Sequence, residues 1–408
     1  MNILVSAYAC EPNKGSEPEV GWQWVKGLAE NNKVYVITRV NNKENIQNGL
    51  SGFKYKENIK FFYYDLPEFF LCMKKMVKIN QLYYFFWQFG IISLARDIVN
   101  REDIDICHHI TFVTFKVFSA LAFVNKPFVF GPVGGGERAA YKFYKGCRKR
   151  DILKEIIRDI DILFARFNPL NLYTLRKATL ILTTTKDTRR LIPNKYKSKC
   201  SIMQTIGIDR INESTKIIQE KNEFKLLYAG NLIYWKGINI LLDSFLMLRK
   251  SNKNHNKEIK LSIVGKGRLE GKIKDFIKQN NLEDSIELLG MRDRNELLNM
   301  YKEVDLFIFP SLHDSGGMVV LESMANGTPV LCLNLGGPSV NIDKECGIIV
   351  EANSYSQVVK DIAMNIEKLS IDQNLHTKLS KNSLVKAENQ FLWSKKIKYI
   401  EKIYSTIK

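Results

Sequence analysis

The sequence predicts an α/β protein of two doubly wound, largely parallel sheets facing each other across a cleft. Three observations carry this. The chain has 408 residues, which at roughly 100–200 residues per domain provides for two or three domains. Short apolar runs alternate with segments of helical period along its whole length, as strands joined by crossover helices do. Most of the runs are continuous rather than alternating in polarity, which suits strands covered on both faces. The composition, 45% hydrophobic and 25% charged, excludes wholesale disorder, a collagen-like repeat and a coiled coil.

In order, the strand candidates of the first half are Asn2–Ala7, Lys33–Arg39, Ile59–Tyr64, Ile104–His108, Pro127–Phe130 and Thr179–Thr184. Those of the second half are Phe224–Ala229, Ile259–Val264, Ser285–Leu289, Asp305–Phe309, Pro329–Leu333 and Gly347–Val350. Helical patterns fill the gaps; Ile238, Leu241, Leu242, Phe245 and Leu248 follow the i, i+3, i+4, i+7 rule. So many strands divide more naturally into two sheets than one. The boundary is expected in the polar stretch Asp209–Glu223, with a first domain over 1–208 and a second over 209–387. A lysine-rich helix over 388–408 carries Trp393, Ile397, Ile400 and Tyr404 on one stripe and is expected to pack back onto the first domain.

The seven cysteines, Cys10, Cys72, Cys107, Cys147, Cys200, Cys332 and Cys346, are scattered, and no C-x-x-C pair signals a zinc site or a disulfide framework. The start, MNILVSAYACEPN, lacks a positive leader and reads as a strand rather than a signal peptide, so a cytoplasmic location is the expectation. Of the net charge of +18, residues 1–200 carry +14. Either a polyanionic or membrane partner, or lysine-rich solvated faces, accounts for that. No helix-turn-helix, RRM or KH pattern is present, and no nucleic-acid partner is expected. The aromatic stretch Gln81–Ala95, flanked by Lys74, Lys75, Lys78 and Arg96, is too short to span a bilayer, which takes about 20 apolar residues. It suits either the membrane interface or a buried core helix.

Ligands of doubly wound sheets sit beyond the carboxyl ends of the strands, so polar residues and glycines just after the runs are the candidates. After Asp305–Phe309 comes Pro310-Ser311-Leu312-His313-Asp314-Ser315-Gly316-Gly317, then a helix from Met318-Val319. Glycines before a helix start leave backbone N–H groups for phosphate or sugar oxygens. Asp314 and Glu322 flank this cradle as two acceptor-only carboxylates, a layout suited to a nucleotide sugar, whose hydroxyls lie on both sides of its phosphates. Asn231 and Lys236 follow Phe224–Ala229, the lysine as a point charge for phosphate. Gly15-Ser16-Glu17 follows the first strand, and Gly134-Gly135-Gly136-Glu137 the fifth run. His108 and His109 end the fourth run; they point to opposite faces, so one of them can enter a cleft. The D-x-D triplets Asp103-Ile104-Asp105 and Asp159-Ile160-Asp161 are not expected to hold metal: a core isoleucine splits the first, and the second lies in a helical pattern.

The second half resembles the nucleotide-sugar-binding half of the retaining glycosyltransferases of family 4, which have the GT-B fold of two Rossmann-like domains. The segments that carry the resemblance are GNLIYWKGINILLDSF, IVGKGRLEGKI, LLGMRDRNELLNMY and PSLHDSGGMVVLESMANGTPVL, in that order; KGSEPEVGWQWVKGLA, DICHHITFVTFK and FGPVGGGE extend it to the first half. The resemblance implies sugar transfer from an NDP-sugar to a glycan or polyprenyl-linked acceptor, as in surface polysaccharide assembly, with no metal cofactor. It implies a cytoplasmic enzyme, peripheral at the inner face of the membrane through its basic first half. It places Glu322 on the ribose, Asp314 on the transferred sugar where the family usually has glutamate, and Ser315, Gly316, Gly317, Met318 and Val319 on sugar and diphosphate oxygens. Lys236 takes the phosphate. Asn231 stands where arginine is common, so that charge is expected from Arg268 or Arg292. Gly15 lies near the diphosphate and Glu17, with Gly135, Gly136 and Glu137, near the acceptor. His108 matches the family histidine at the reacting sugar, with His109 in reserve. A nucleotide-sugar epimerase on the same fold, and outside enzymes a nucleic-acid-binding or non-catalytic scaffold protein, are the alternatives.

Overall fold

The computed structural model describes residues 1–70, 80–144, 147–211, 222–251 and 257–407. The chain forms two compact units. The first comprises Met1–Gly136, Ile157–Ile206 and Trp393–Lys408; the second comprises Glu137–Ile156 and Gly207–Leu392.

In the first unit the strands are β1 (Asn2–Ala7), β2 (Lys33–Thr38), β3 (Ile59–Tyr63), β4 (Ile106–Thr111), β5 (Phe128–Val133), β6 (Leu180–Thr183) and β7 (Cys200–Ile202). They pair in the order β3-β2-β1-β4-β5-β6-β7, each pair parallel. In the second unit β8 (Glu223–Ala229), β9 (Glu258–Val264), β10 (Ile286–Gly290), β11 (Leu306–Phe309), β12 (Val330–Leu333) and β13 (Gly347–Val350) pair in the order β10-β9-β8-β11-β12-β13, again all parallel. In each sheet the winding reverses once, between β1 and β4 and between β8 and β11. The backbone crevice that such a reversal opens at the carboxyl ends is where doubly wound sheets hold ligands. Each apolar run of the sequence lies on a strand. The added strand, β7, is three residues long with an exposed Ser201 at its centre, too short and too polar to register as a run.

Two expectations change and one open choice is decided. The expected first domain ran unbroken to residue 208, but the chain crosses to the second unit for 137–156 and back. Phe143 and Tyr144 are the cause: they are buried in the core that also holds Tyr234, Phe245, Ile263 and Ile308. Of the two readings open for the aromatic stretch Gln81–Ala95, the structure bears out the core helix. It lies in the helix Asn80–Arg101, and Tyr83, Tyr84, Trp87, Ile91, Ala95 and Ile98 are buried in the first unit's core. Its expected basic flank Lys74, Lys75 and Lys78 lies outside the described residues. Finally, the last helix begins at Trp393 rather than 388, after a π-turn over Ala387–Phe391 that belongs to the second unit.

That last helix, Trp393–Ile407, buries Ile397, Ile400 and Tyr404 as its stripe requires, and Lys396 with them. It lies against the helix Ser16–Leu28 so closely that a Cβ at Gly27 would come within 2.5 Å of the Ile397 side chain. The Trp24 and Trp393 rings meet edge to face at 6.2 Å. The Lys396 ammonium donates to the Gln204 carbonyl, and burial pulls its pKa down to about 7. Ile400 is fully buried, so Ile400→Ala is expected to cost about 2–5 kcal/mol, read as a fall in the denaturation midpoint in urea.

Candidate functional site

The second unit's candidate site grows from the turn after β8. Gly230 and Gly265 end β8 and β9, and a Cβ on Gly265 would lie 1.9 Å from the Gly230 carbonyl oxygen, so the loops pack backbone on backbone. The chain then makes a short 3-10 turn, Tyr234–Lys236, closed by Gly237 in the left-handed region at φ 73°. A Cβ on Gly237 would lie 1.9 Å from the Pro310 carbonyl oxygen. Only glycine satisfies both demands, and its close approach brings Lys236 beside the loop after β11.

There the Lys236 ammonium pairs with the Asp314 carboxylate. Both side chains are mostly buried, and the ammonium also sits 5.1 Å above the Phe309 ring. One residue back on each loop, Trp235 and His313 stack with ring centres 5.5 Å apart and planes 13° from parallel. The His313 Nε2 lies 3.2 Å from the buried Glu155 carboxylate, to which the Tyr234 hydroxyl donates at 2.7 Å. Asp314 also accepts from the Gly316 amide at 3.2 Å. The loop is locked from behind, because the Gly316 carbonyl accepts from Asn341 and a Cβ on Gly336 or Gly337 would strike the Asp314 or Ser315 carbonyl. Gly317, at φ 78°, then opens the helix Met318–Ala325 with no side-chain cap. The positive end of the helix, at Met318 and Val319, is thereby left to an anion.

Glu322 is the fifth residue of that helix, about 6 Å along its axis from the start. It is buried and pairs with Arg294, Nε to Oε1 at 3.3 Å. Burial raises the Glu322 pKa above the usual carboxylate range, and Arg294 opposes the rise. The pair lines a cavity of about 700 Å³ with Asp209, Arg210, Asn295, Leu298 and Asn326. Arg294 is thus the arginine at this end. Arg268 and Arg292 are exposed on the loops after β9 and β10, and among the described residues neither makes a hydrogen bond or ion pair. Asn231 is exposed, and its contribution is a backbone carbonyl accepting from the Tyr228 hydroxyl at 3.3 Å. Asp314, Lys236 and the 315–319 backbone therefore form one cluster, and Glu322 stands further along the same helix.

The first unit's candidates are described separately. Gly15, at φ 65°, starts the helix Ser16–Leu28 from an open loop after β1. The Glu17 carboxylate on its first turn accepts from the Val113 amide beyond β4, and burial pushes its pKa up to about 7. Gly135 lies 3.7 Å, from its would-be Cβ, from Thr114 Oγ1, and the Gly136 amide donates to Thr188. These residues gather at the carboxyl ends of β1, β4 and β5. Glu137 is buried and falls in the second unit.

His108 does not fit the role expected from the resemblance. It lies within β4 rather than at its end, and it is fully buried. Its Nε2 donates to the Gly131 carbonyl at 2.6 Å, leaving Nδ1 to accept from the Tyr404 hydroxyl, and its ring meets Trp24 edge to face. Both ring nitrogens are committed to the core. His109 is equally buried between Ser119, Tyr84 and the Phe112 carbonyl. Sequence reasoning missed Arg294, though the capping box Asp293/Glu296 marks the helix start that aims it. It also missed His313 and Glu155, whose pairing joins segments 158 residues apart.

Burial holds the His108 pKa down at about 3 and that of His109 at about 4. Both are neutral in the folded chain and take up protons on unfolding below about pH 6.5. Their contribution to stability is present above pH 6.5 and is lost as pH falls from there toward 3. Thermal melts across that window should show His108→Gln losing stability less steeply with acid than the parent chain.

Residues 209–385 match the family model described as glycosyl transferases group 1. An uncharacterized glycosyltransferase of Methanocaldococcus jannaschii is 24% identical over 237 residues, 58% of this chain and 62% of that protein. The capsular polysaccharide biosynthesis glycosyltransferase CapM of Staphylococcus aureus is 27% identical over 194 residues, 45% of this chain and 47% of its own length. The chain therefore spans about two-fifths to three-fifths of the length of the curated relatives it matches. Among solved structures, Anabaena HepE in complex with UDP superposes with a TM-score of 0.63 at 15% identity, covering 100% of each chain. The likeness in three dimensions establishes the fold, which is GT-B.

Proposed function

With residues 209–385 forming a glycosyl transferases group 1 domain in a chain of GT-B fold, we propose that the protein transfers a sugar from a nucleoside-diphosphate sugar to an acceptor hydroxyl, keeping the anomeric configuration. The observation that carries this is the Lys236–Asp314 pair held at the mouth of an uncapped helix whose fifth residue is a buried carboxylate.

Breaking the bond between sugar and diphosphate leaves negative charge on the leaving group. Lys236 and the amides at the start of the helix Met318–Ala325 meet that charge in a partly desolvated pocket, where fixed dipoles are most effective. This leaves no step that calls for a metal. Asp314, once its lysine turns to phosphate, accepts from hydroxyls of the transferred sugar. Glu322, kept in place by Arg294, accepts from the ribose hydroxyls. Attack on the same face of the sugar, with the leaving phosphate taking the acceptor's proton, gives retention without a protein nucleophile. On the first unit we assign Glu17, whose carboxylate accepts from the Val113 amide, to hold an acceptor hydroxyl by a hydrogen bond, while the proton itself passes to the leaving phosphate. The basic first half and the name of the capsular relative favour a glycan or lipid-linked glycan acceptor in surface polysaccharide assembly at the cytoplasmic face of the membrane.

Thermal-shift titration against UDP-, GDP- and TDP-sugars should give one stabilising nucleotide. Glu322→Ala should lower kcat/KM for that donor by about 2–4 kcal/mol, roughly 30- to 1,000-fold. Unchanged turnover in the purified variant would sink the site. Glu17→Gln should raise the acceptor KM while leaving donor affinity intact. Rapid-quench mass spectrometry should show no covalent glycosyl-enzyme; accumulation of one would replace the same-face route by double displacement. Turnover of the donor in the absence of any acceptor, with inversion at a ring carbon, would mark an epimerase instead.

A further inference from the structure

The sequence 149–167, KRDILKEIIRDIDILFARF, forms one helix, Lys149–Phe167. Its inward face carries Asp151, Glu155, Ile162 and Ala165, all buried. The opposite face is apolar and open. Leu153, Ile156, Ile160, Leu163 and Phe167 recur along it at steps of three, four, three and four residues, each exposed by 41% or more. Ile157 and Phe164, exposed by 57% and 73%, widen the stripe on one side. With roughly 200 Å² of surface to each large apolar residue, these exposed fractions come to about 800 Å². The largest apolar patch on a typical monomer is about 300–600 Å², whereas each partner of a standard interface contributes about 800 Å².

Alternating steps of three and four are the seam of a helix that packs along another helix, positions a and d of a heptad. With Leu153, Ile160 and Phe167 at a and Ile156 and Leu163 at d, Ile157 and Phe164 fall at e, and Asp159 and Arg166 at g. Asp159 is half-buried, and Arg166 is exposed with its guanidinium 5.8 Å from the Phe167 ring, at the edge of the stripe. In an antiparallel pair each a layer meets a d layer, e faces e, and g faces g. A two-fold axis between residues 161 and 162 sets Ile160 on Leu163 of the second copy and Ile156 on its Phe167. One flank then joins Ile157 to Phe164 across the seam, and the other joins Asp159 to Arg166, apolar to apolar and acid to base. The axis repeats every contact, so the face is complementary to itself. A parallel pair would instead press each Asp159 carboxylate against Phe164. An anionic lipid surface would meet acids at both borders of the stripe, Asp159 on one and Asp161 on the other.

We propose that this face is the interface of a two-fold dimer, in which the helix Lys149–Phe167 packs antiparallel on the same helix of a second copy of the chain. The inference is independent of the sugar-transfer reading, and its test needs no turnover. Sedimentation velocity of the full chain at about 10 µM is expected to show a dimer. Ile160→Ser/Phe164→Ser should raise its dissociation constant by about tenfold or more. Asp159→Arg and Arg166→Asp each set like charges against each other on one flank, and each should weaken the dimer by about tenfold. Mixing those two variants, or joining both substitutions in one chain, puts opposite charges across the seam again and should restore association. That recovery, with unchanged melting of each variant, separates a lost interface from a folding defect. A parent chain that is monomeric at this concentration would overturn the proposal, and its sedimentation with phosphatidylglycerol vesicles would give the stripe to lipid instead. A dimer that the serine variant leaves intact, or charge variants that neither weaken it singly nor restore it together, would equally overturn it.

Discussion

The ion pair between Lys236 and Asp314 is the contact on which the second unit's chemistry turns. Two charges that are mostly out of water hold each other, and removing either would leave the other uncompensated, a loss of about 3–5 kcal/mol in comparable buried pairs. The pair forms because the turn after β8 leans on Pro310 at Gly237, a contact that any side chain would prevent. The stacked Trp235 and His313, braced by Glu155, fix the same two loops one residue away. Loop, turn and helix start thus move as one piece. An anion that reaches Lys236 has to share it with Asp314, and in doing so it frees a carboxylate next to itself.

The two units share a winding pattern but put different chemistry at their strand ends. The second presents a cation, bare amides and a carboxylate held by arginine. The first presents Glu17, a carboxyl made less acidic by desolvation, near Tyr8 and Tyr84, which feel its charge. Behind them the first unit is braced by a buried polar chain, from Gly131 through His108 to Tyr404. That chain ties β4, β5 and the last helix together. Its hydrogen bonds are internal, so it stabilises the unit rather than offering groups to a ligand.

Much of this was legible in the sequence because it depends on near neighbours. Continuous apolar runs gave away strands covered on both faces, and glycines after them marked where backbone must pass close. Asp314, Lys236 and Glu322 were recognisable because strand ends and a helix start are local features. What escaped depends on distant pairings. A histidine on a strand faces core or crevice according to what packs there, and for His108 the packing comes from Tyr404, 296 residues away. Arg294 could not be told from Arg292 or Arg268 until the two helices bearing it and Glu322 were set side by side. The aromatic helix at 80–101 read equally well as core or interface, since composition does not say which of its faces has a partner.

The passage of 137–156 into the second unit changes what can be cut from this protein. The family match begins at 209, yet the folded body that contains it does not. A fragment trimmed to those boundaries would lose Phe143 and Tyr144 from its interior and strip the brace from His313 and Tyr234. Hydrophobic surface would be uncovered and a void left where two aromatic rings had been. Homology limits and folding limits diverge here, and dissection of the protein has to follow the second.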